Sequence, residues 1–292
     1  MKELVIISGK GGTGKTSIVS AFAVLAENKV LCDADVDAAD LHLIMAPEIL
    51  ERHDFKGGNK AIIDKEKCTE CGLCRELCRW NAISEAFEVD PISCEGCGVC
   101  WYFCPEKAID FPEQTCGEWY ISDTRFGPMV HGRLGIAEEN SGKLVTLARQ
   151  EAKKLGEARG LDLILTDGPP GVGCPVIASI GGASAVLIVA EPTVSGRHDM
   201  ERVAQLAAHF RVPALLSINK FDLNPDEAKA IEQVAGEHNI RVLGRIPFDP
   251  TFTKAMVQGK TIVEFDGNSE GNRAVKEMWD QVRDFLEGQP ST

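Results

Sequence analysis

A chain of 292 residues, 44% hydrophobic and 26% charged, is long enough to bury a large core and to hold one α/β domain with something smaller beside it. Its formal net charge of -13 and its lack of a long Lys/Arg block argue against nonspecific binding to nucleic acid or to an anionic membrane. No apolar run approaches the roughly 18 residues of a membrane span, and a strand pattern begins within the first four residues without the regions of a signal peptide, so the expectation is a cytoplasmic protein with no stable membrane insertion. Eleven cysteines in such a chain point to metal or redox work rather than to structural disulfides.

The apolar run Leu4-Val5-Ile6-Ile7 predicts a strand, and Ile18, Val19, Ala21, Phe22 and Leu25 recur at helical spacing. Between them lies Gly9-Lys10-Gly11-Gly12-Thr13-Gly14-Lys15-Thr16, a GxxxxGK[ST] loop, with Ser17 opening the helical pattern. Glycines let successive backbone N–H groups curl round a phosphate, Lys15 reaches the β and γ oxygens, and Thr16 holds Mg²⁺. The helix N-terminus adds its partial positive charge. Gly9 to Ser17 are therefore the candidate ATP/ADP-binding residues. The second lysine, Lys10, makes the loop GKGGTGKT, which resembles that of the deviant Walker ATPases related to MinD, ParA, Mrp and the nitrogenase iron protein. That resemblance implies that Lys10 reaches across a dimer interface to the partner's nucleotide, so Lys10 and Lys15 are both read as catalytic.

Val30-Leu31-Cys32 predicts a second buried strand that delivers Asp33-Ala34-Asp35-Val36-Asp37 to the end of a sheet where open α/β folds bind ligands. The resemblance implies that Asp33 assists Mg²⁺ through its waters and that Asp35 orients the attacking water. The family's usual Asn falls at Asp40, which puts that position's role in doubt. Asp37 and His42 read as local structure, with His42 also near enough in sequence to line the switch.

Composition changes around Lys56-Gly57-Gly58-Asn59-Lys60, read as the exit from the first domain. An internal repeat follows. Cys68, Cys71, Cys74 and Cys78 form CxxCxxCxxxC, and Cys94, Cys97, Cys100 and Cys104 form it again 26 residues later, followed by Pro105. This register resembles that of two-cluster bacterial ferredoxins, in which three cysteines of one run hold a cluster and the fourth reaches the other. The resemblance implies two [4Fe-4S] clusters, one on Cys68, Cys71, Cys74 and Cys104, the other on Cys94, Cys97, Cys100 and Cys78. Zinc is the rival, although zinc sites are typically paired CxxC units rather than three-cysteine tandems. Arg79 stands where Pro usually follows the first run, which removes no ligand.

Glu118 to Ser122 and Met129 to His131 read as a hairpin with Gly127-Pro128 in its turn, and His131 as structural. Residues 132–144 are similar to a segment of ferredoxin-containing family members, with Asn140 or Ser141 as the cap of the next helix. Leu161 to Gly171 is a hydrophobic strand delivering Asp167, the expected Walker B ligand of Mg²⁺. Cys174 reads as a small buried hydrophobe, with an activated, metal-binding thiol at a helix mouth as the alternative. Cys116 and Cys32 are weaker candidates for that role. Strands Ala185 to Ala190, Ala214 to Ile218 and Val242 to Ile246 alternate with helices starting near Ser195, Pro225 and Pro250. Asn219 resembles the family's adenine-contacting residue. The last helix, Arg273 to Glu287, carries Val275, Met278, Trp279, Val282, Phe285 and Leu286 on one face and a mainly acidic opposite face, which favours packing over membrane docking.

The expected fold is an α/β P-loop NTPase whose mainly parallel sheet is covered on both faces, with an inserted two-cluster ferredoxin-like α+β domain. The domain bounds are 1–56 and 113–292 for the ATPase and 57–112 for the insert. The expected function is a slow, partner-dependent ATPase that couples nucleotide-driven dimerisation, with itself or a related ATPase, to electron transfer with a redox or metal-cofactor protein. The alternatives are an Mrp-like cluster carrier and a MinD-like spatial regulator.

Overall fold

A computed structural model describes residues 1–135 and 140–288. It forms two compact units, one of Met1–His53, Trp119–Arg133 and the chain from Ser141 onward, the other of Asp54–Glu118 and Leu134–Asn140, with residues 136–139 outside the described residues. The sequence expectation placed these bounds at 57 and 112.

The first unit begins with β1 (Lys2–Ser8), α1 (Lys15–Leu25), β2 (Lys29–Asp33) and α2 (Leu41–Met45), followed by β3 (Glu48–Asn59), whose residues from Asp54 on belong to the second unit. The second unit holds β4 (Ile62–Ile63), α3 (Leu73–Leu77), α4 (Val99–Phe103) and β5 (Ile109–Asp110). The chain returns through β6 (Glu113–Thr124) and β7 (Gly127–Leu134) to α5 (Ser141–Arg159), β8 (Leu163–Pro170), α6 (Cys174–Ile180), β9 (Ala185–Ala190) and α7 (Val194–His209). It ends with β10 (Ala214–Asn219), α8 (Pro225–Glu237), β11 (Arg241–Ile246), α9 (Thr251–Val257), α10 (Ile262–Phe265) and α11 (Glu270–Glu287).

The strands form a sheet in the order β11-β10-β9-β1-β8-β2-β7-β6-β3, and β1, β2, β8, β9, β10 and β11 pair in parallel. Because side chains alternate along a strand, Leu4 and Ile6 of β1 enter one core with Phe22 of α1 and Met278 of α11, while Val5 and Ile7 enter a second with Ile180 of α6 and Val203 of α7. Both faces are buried, which explains the unbroken apolar run of the strand. The apolar stripe of α11 lies on the first core, where the rings of Phe22 and Trp279 meet at 4.9 Å. Among the described residues no helix is long and apolar enough to cross a membrane.

Two expectations need correction here. The turn between β6 and β7 is Arg125-Phe126, not Gly127-Pro128. Thr124 Oγ1 accepts from Phe126 N at 3.1 Å and donates to Gly127 O at 2.7 Å, which closes the turn early, and Pro128 falls near the start of a strand. Lys56 to Asn59 also belong to β3, a strand the sequence did not reveal.

His131 of β7 is buried, hydrogen-bonded through Nε2 to Ser122 Oγ at 3.0 Å and stacked on Tyr120. Burial, then nearby His42, pushes its pKa down to about 4 from 6.5. The unfolded imidazole therefore binds a proton at higher pH than the folded one, so stability is full above pH 6.5 and falls as the pH drops toward 4. Between pH 7.5 and 5 this amounts to about 2 kcal/mol. His131→Phe should lose less melting temperature over that interval than the parent, and equal losses would remove His131 as the cause.

The backbone of the second unit is itself a repeat of 26 residues. α3 and α4 occupy equivalent positions, each preceded by a left-handed glycine, Gly72 (φ 84°) and Gly98 (φ 72°). Asn81 and Lys107, both at φ 50°, follow the two runs. Asp64 and Asp90 cap equivalent turns, each accepting from the amide two residues on at 3.0 Å. The halves are also exchanged across the repeat: Asp64 N donates to Ala108 O and Asp90 N to Ala82 O, both at 2.8 Å. β4 pairs antiparallel with β5, and Ile83 bridges Val89.

Candidate nucleotide site and cysteine sites

The loop from Gly9 to Thr16 joins β1 to α1 at the C-terminal edge of the parallel strands. Gly12 (φ 81°) and Gly14 (φ 88°) are left-handed, and a Cβ on Gly14 would lie 2.4 Å from Asn219 Nδ2. Gly9 has no room for one either, since it would come within 2.1 Å of Asp199 Cβ on α7. Asn219 Nδ2 donates to Thr13 O at 2.7 Å, tying β10 to the loop. The loop from Gly11 to Ser17 lines a cavity of about 480 Å³, together with Asp35, Asp40 and Asn219. Leu43, Ile44, Phe248, Phe252 and Met256 form an apolar wall, an arrangement suited to a ligand with a polar tail and a flat ring.

Parallel register brings the acids together, with Asp33 opposite Asp167 and Asp167 opposite Ile6. Lys15 Nζ pairs with Asp167 and, at 3.2 Å, with Asp35. Burial pulls the lysine's pKa down, but Asp167 and Asp35 outweigh it and hold it above its ordinary value. Asp33 is fully buried, and burial followed by the Asp167 charge holds its carboxyl well above the usual range. Burial also raises Asp35, against the pull of Lys15. Asp33 Oδ1 accepts from Asp35 N at 3.1 Å, whereas Oδ2 has no hydrogen-bond partner among the described residues. A buried carboxylate oxygen left over beside a second carboxylate fits a hydrated divalent cation, with Thr16 at the adjoining helix start.

Lys10 lies apart from that cavity, in a smaller cleft with Gly9, Glu191 and Asp199, where its Nζ is 3.3 Å from Glu191. Lys220 also pairs with Glu191 and donates to Gly12 O at 3.2 Å, so one carboxylate serves two lysines. Neither Glu191 nor Lys220 was among the sequence candidates. Each directly follows a parallel strand's C-terminal end, and that position is the signal that would have marked them.

Cys174, expected to be buried, is exposed. It is the first residue of α6, whose buried positions are Val176, Ser179 and Ile180, so it faces outward. Cys116 is buried with its thiol donating to Gly57 O, and Cys32 is buried in β2, where burial pushes its pKa far up.

The other eight thiols fall into two sets of four. Cys68, Cys71, Cys74 and Cys104 line one pocket with Leu73, Phe87 and Ile109. Cys94, Cys97, Cys100 and Cys78 line another with Ile83, Val89 and Phe111. Burial raises the pKa of Cys74, with further contributions from Cys68, Cys71 and Cys104, and raises that of Cys100 to about 11, with contributions from Cys94, Cys97 and, across the two sets, Cys74. Among the described residues, no three His, Cys, Asp or Glu side chains converge as ligands of a single ion do; four thiols spread round a pocket is a wider arrangement.

Residues 4–262 match the family described as the CobQ/CobB/MinD/ParA nucleotide binding domain. An uncharacterized protein of Methanocaldococcus jannaschii is 31% identical over 288 residues, covering 97% of each chain. Septum site-determining protein MinD of Bacillus subtilis is 22% identical over 271 residues, covering 89% of this chain and 81% of that one. Among solved structures, septum site-determining protein MinD complexed with Mg-ADP from Pyrococcus horikoshii superposes with a TM-score of 0.60 at 17% identity, covering 98% and 97% of the two chains, a likeness of fold alone. With its P-loop, its parallel α/β sheet and a family match over residues 4–262, the chain belongs to the CobQ/CobB/MinD/ParA family of nucleotide-binding proteins.

Proposed function

We propose that the protein is a slow ATPase that closes as a dimer on ATP·Mg²⁺ and couples that closure to electron transfer through two [4Fe-4S] clusters held in its second unit. The observation that carries the iron–sulfur part is the division of eight thiols into two pockets of four, on a backbone repeated with the same 26-residue period. Each set draws three thiols from one run and the fourth from the other. A cubane takes each thiolate on its own iron, so its ligands surround it rather than meet at a point. The second unit is accordingly read as the ferredoxin-like insert, and the first as the ATPase.

At the nucleotide site, phosphate oxygens would draw Lys15 from Asp35 and Asp167. Thr16, Asp33 and Asp167 are then left to hold Mg²⁺ and its waters, and Asp35 to orient the attacking water. Asn219, beside the loop, would border the base. Lys10 would exchange Glu191 for the nucleotide of the partner, which is a second copy or a related ATPase. Both thiol sets are complete, which favours resident clusters over a carrier role like that of Mrp. The mainly acidic outer face of α11 speaks against docking on an anionic membrane.

Anaerobically purified protein should contain about eight irons and eight sulfides per chain. Cys104→Ser should mainly disturb the cluster on Cys68, Cys71 and Cys74, and Cys78→Ser the one on Cys94, Cys97 and Cys100. Zinc in place of iron would overturn the proposal. A mild acceptor that removes electrons but leaves the iron in place would separate electron transfer from cluster delivery.

A further inference from the structure

The repeat in the second unit provides an internal control, because two surfaces stand on equivalent backbones. On the first half, positions 66, 75, 76 and 77 are Glu66, Arg75, Glu76 and Leu77. Their equivalents 26 residues on are Ile92, Trp101, Tyr102 and Phe103, which are 75%, 49%, 74% and 55% exposed. The same backbone forms in the first half with charged residues at three of these four positions, so folding does not require the apolar ones. Three of them lie on α4 in a row, with Trp101 stacked on Phe111 and Tyr102 edge-on to Phe103. Exposed aromatic residues clustered in this way are characteristic of the buried centre of a protein interface.

The position of the row specifies the partner. It lies between Cys100, which lines one thiol pocket, and Cys104, which lines the other. The patch is small, in keeping with transient electron-transfer encounters, which bury less than about 1,200 Å². Charge argues against a second copy of this chain: the protein carries -13, and residues 54–118 hold thirteen acidic and seven basic side chains, a net of -6. We infer that Trp101, Tyr102 and Phe103 of α4 form the docking surface for a one-electron redox protein whose own apolar patch is ringed by lysine or arginine. This rests on the iron–sulfur reading above. One electron passes across the surface from a cluster previously reduced by a low-potential donor to the partner's redox centre, with no bond made or broken.

The test grafts the first half's residues onto α4: Trp101→Arg, Tyr102→Glu and Phe103→Leu together. An arginine at 101 has a ring to lie on, as Arg75 does over Phe87. Dithionite-reduced parent and variant, matched for iron content, are mixed by stopped flow with an oxidised, basic c-type cytochrome. Hexaammineruthenium(III) serves as a small acceptor that needs no docking surface. The variant should reduce the cytochrome at least tenfold more slowly than the parent while reducing the ruthenium complex within twofold of the parental rate. The substitutions leave the net charge unchanged, so weaker attraction to a basic protein cannot account for such a fall. Tyr102→Glu alone, which disturbs less packing, should slow cytochrome reduction at least threefold. A cytochrome rate within twofold of the parent's, or parallel falls with both acceptors, overturns the docking surface. A parent without iron overturns the iron–sulfur reading and the surface with it; iron present with an unchanged cytochrome rate overturns the surface alone.

Discussion

Lys10→Ala should keep nucleotide affinity while losing ATP-dependent dimerisation and about 10³-fold or more of turnover. The nucleotide cavity is lined by Lys15 and Lys220 with Asp35, Asp40 and Asp249; Lys15 is already paired with Asp35 and Asp167, and Lys220 with Glu191, which leaves little positive charge to offset what develops on the transferred phosphoryl group. A cation supplied from outside the site is worth about 10³ to 10⁵ in rate for arginine fingers, or about 4–7 kcal/mol of barrier. In the single chain Lys10 is turned to Glu191, outside that cavity, so removing it takes nothing from the nucleotide's own pocket. Sedimentation with ATP·Mg²⁺ and phosphate release decide the outcome. A Lys10→Ala protein that dimerises and hydrolyses at the parental rate refutes the trans-lysine mechanism.

Lys15→Ala should fail differently, losing nucleotide binding and also destabilising the nucleotide-free protein by about 3–5 kcal/mol, the usual cost of removing one partner from a buried ion pair. Asp35 and Asp167 would lose their common cation, and Asp33 beside them is already held well above the ordinary carboxylate pKa of 3.8. The sign with pH follows from that direction. A carboxyl with a raised folded pKa keeps its proton longer in the folded state, so the cost of ionising it accrues as pH rises from about 3.8 through the folded value. The deficit of Lys15→Ala should therefore be largest near neutral pH and shrink on acidification. Urea unfolding of parent and variant at pH 7.5 and 5.5 tests this, and a deficit independent of pH would show that the carboxylates are not its source.

The motifs and periodic stretches were legible in the sequence because local rules produce them. β1, the phosphate loop, Asp33, Asp167 and the buried face of α11 all follow from apolar pattern and spacing within a dozen or so residues. β3 was missed because Glu48 to Arg52 are all exposed, at the sheet's edge, where no buried face imposes alternation. The pairing of Glu191 with Lys10 and Lys220, and the apolar wall from Leu43 to Met256, arise only when the sheet order brings distant strand ends together. The exposure of Cys174 turned on which face of a seven-residue helix meets the core, too short a stretch to show a period. In the second unit the cysteine register was plain, but the exchange of halves was not, because it lies in backbone hydrogen bonds such as Asp64 to Ala108.

That exchange makes the two closures unequal in cost. The bridge between Ile83 and Val89 closes a short loop, whereas Ile63 must find Ile109 across a loop roughly eight times longer. At about 0.6 kcal/mol per doubling of loop length, the outer pair carries about 2 kcal/mol more closure entropy than the inner one. Loop closure alone therefore favours the inner pair, which brings Cys78 toward the run from Cys94 to Cys100 at a lower cost than joining Cys104 to Cys68, Cys71 and Cys74. The finished unit is symmetric but its closure cost is not, and the thiol set of Cys68, Cys71, Cys74 and Cys104 is the one that needs both ends of the unit at once.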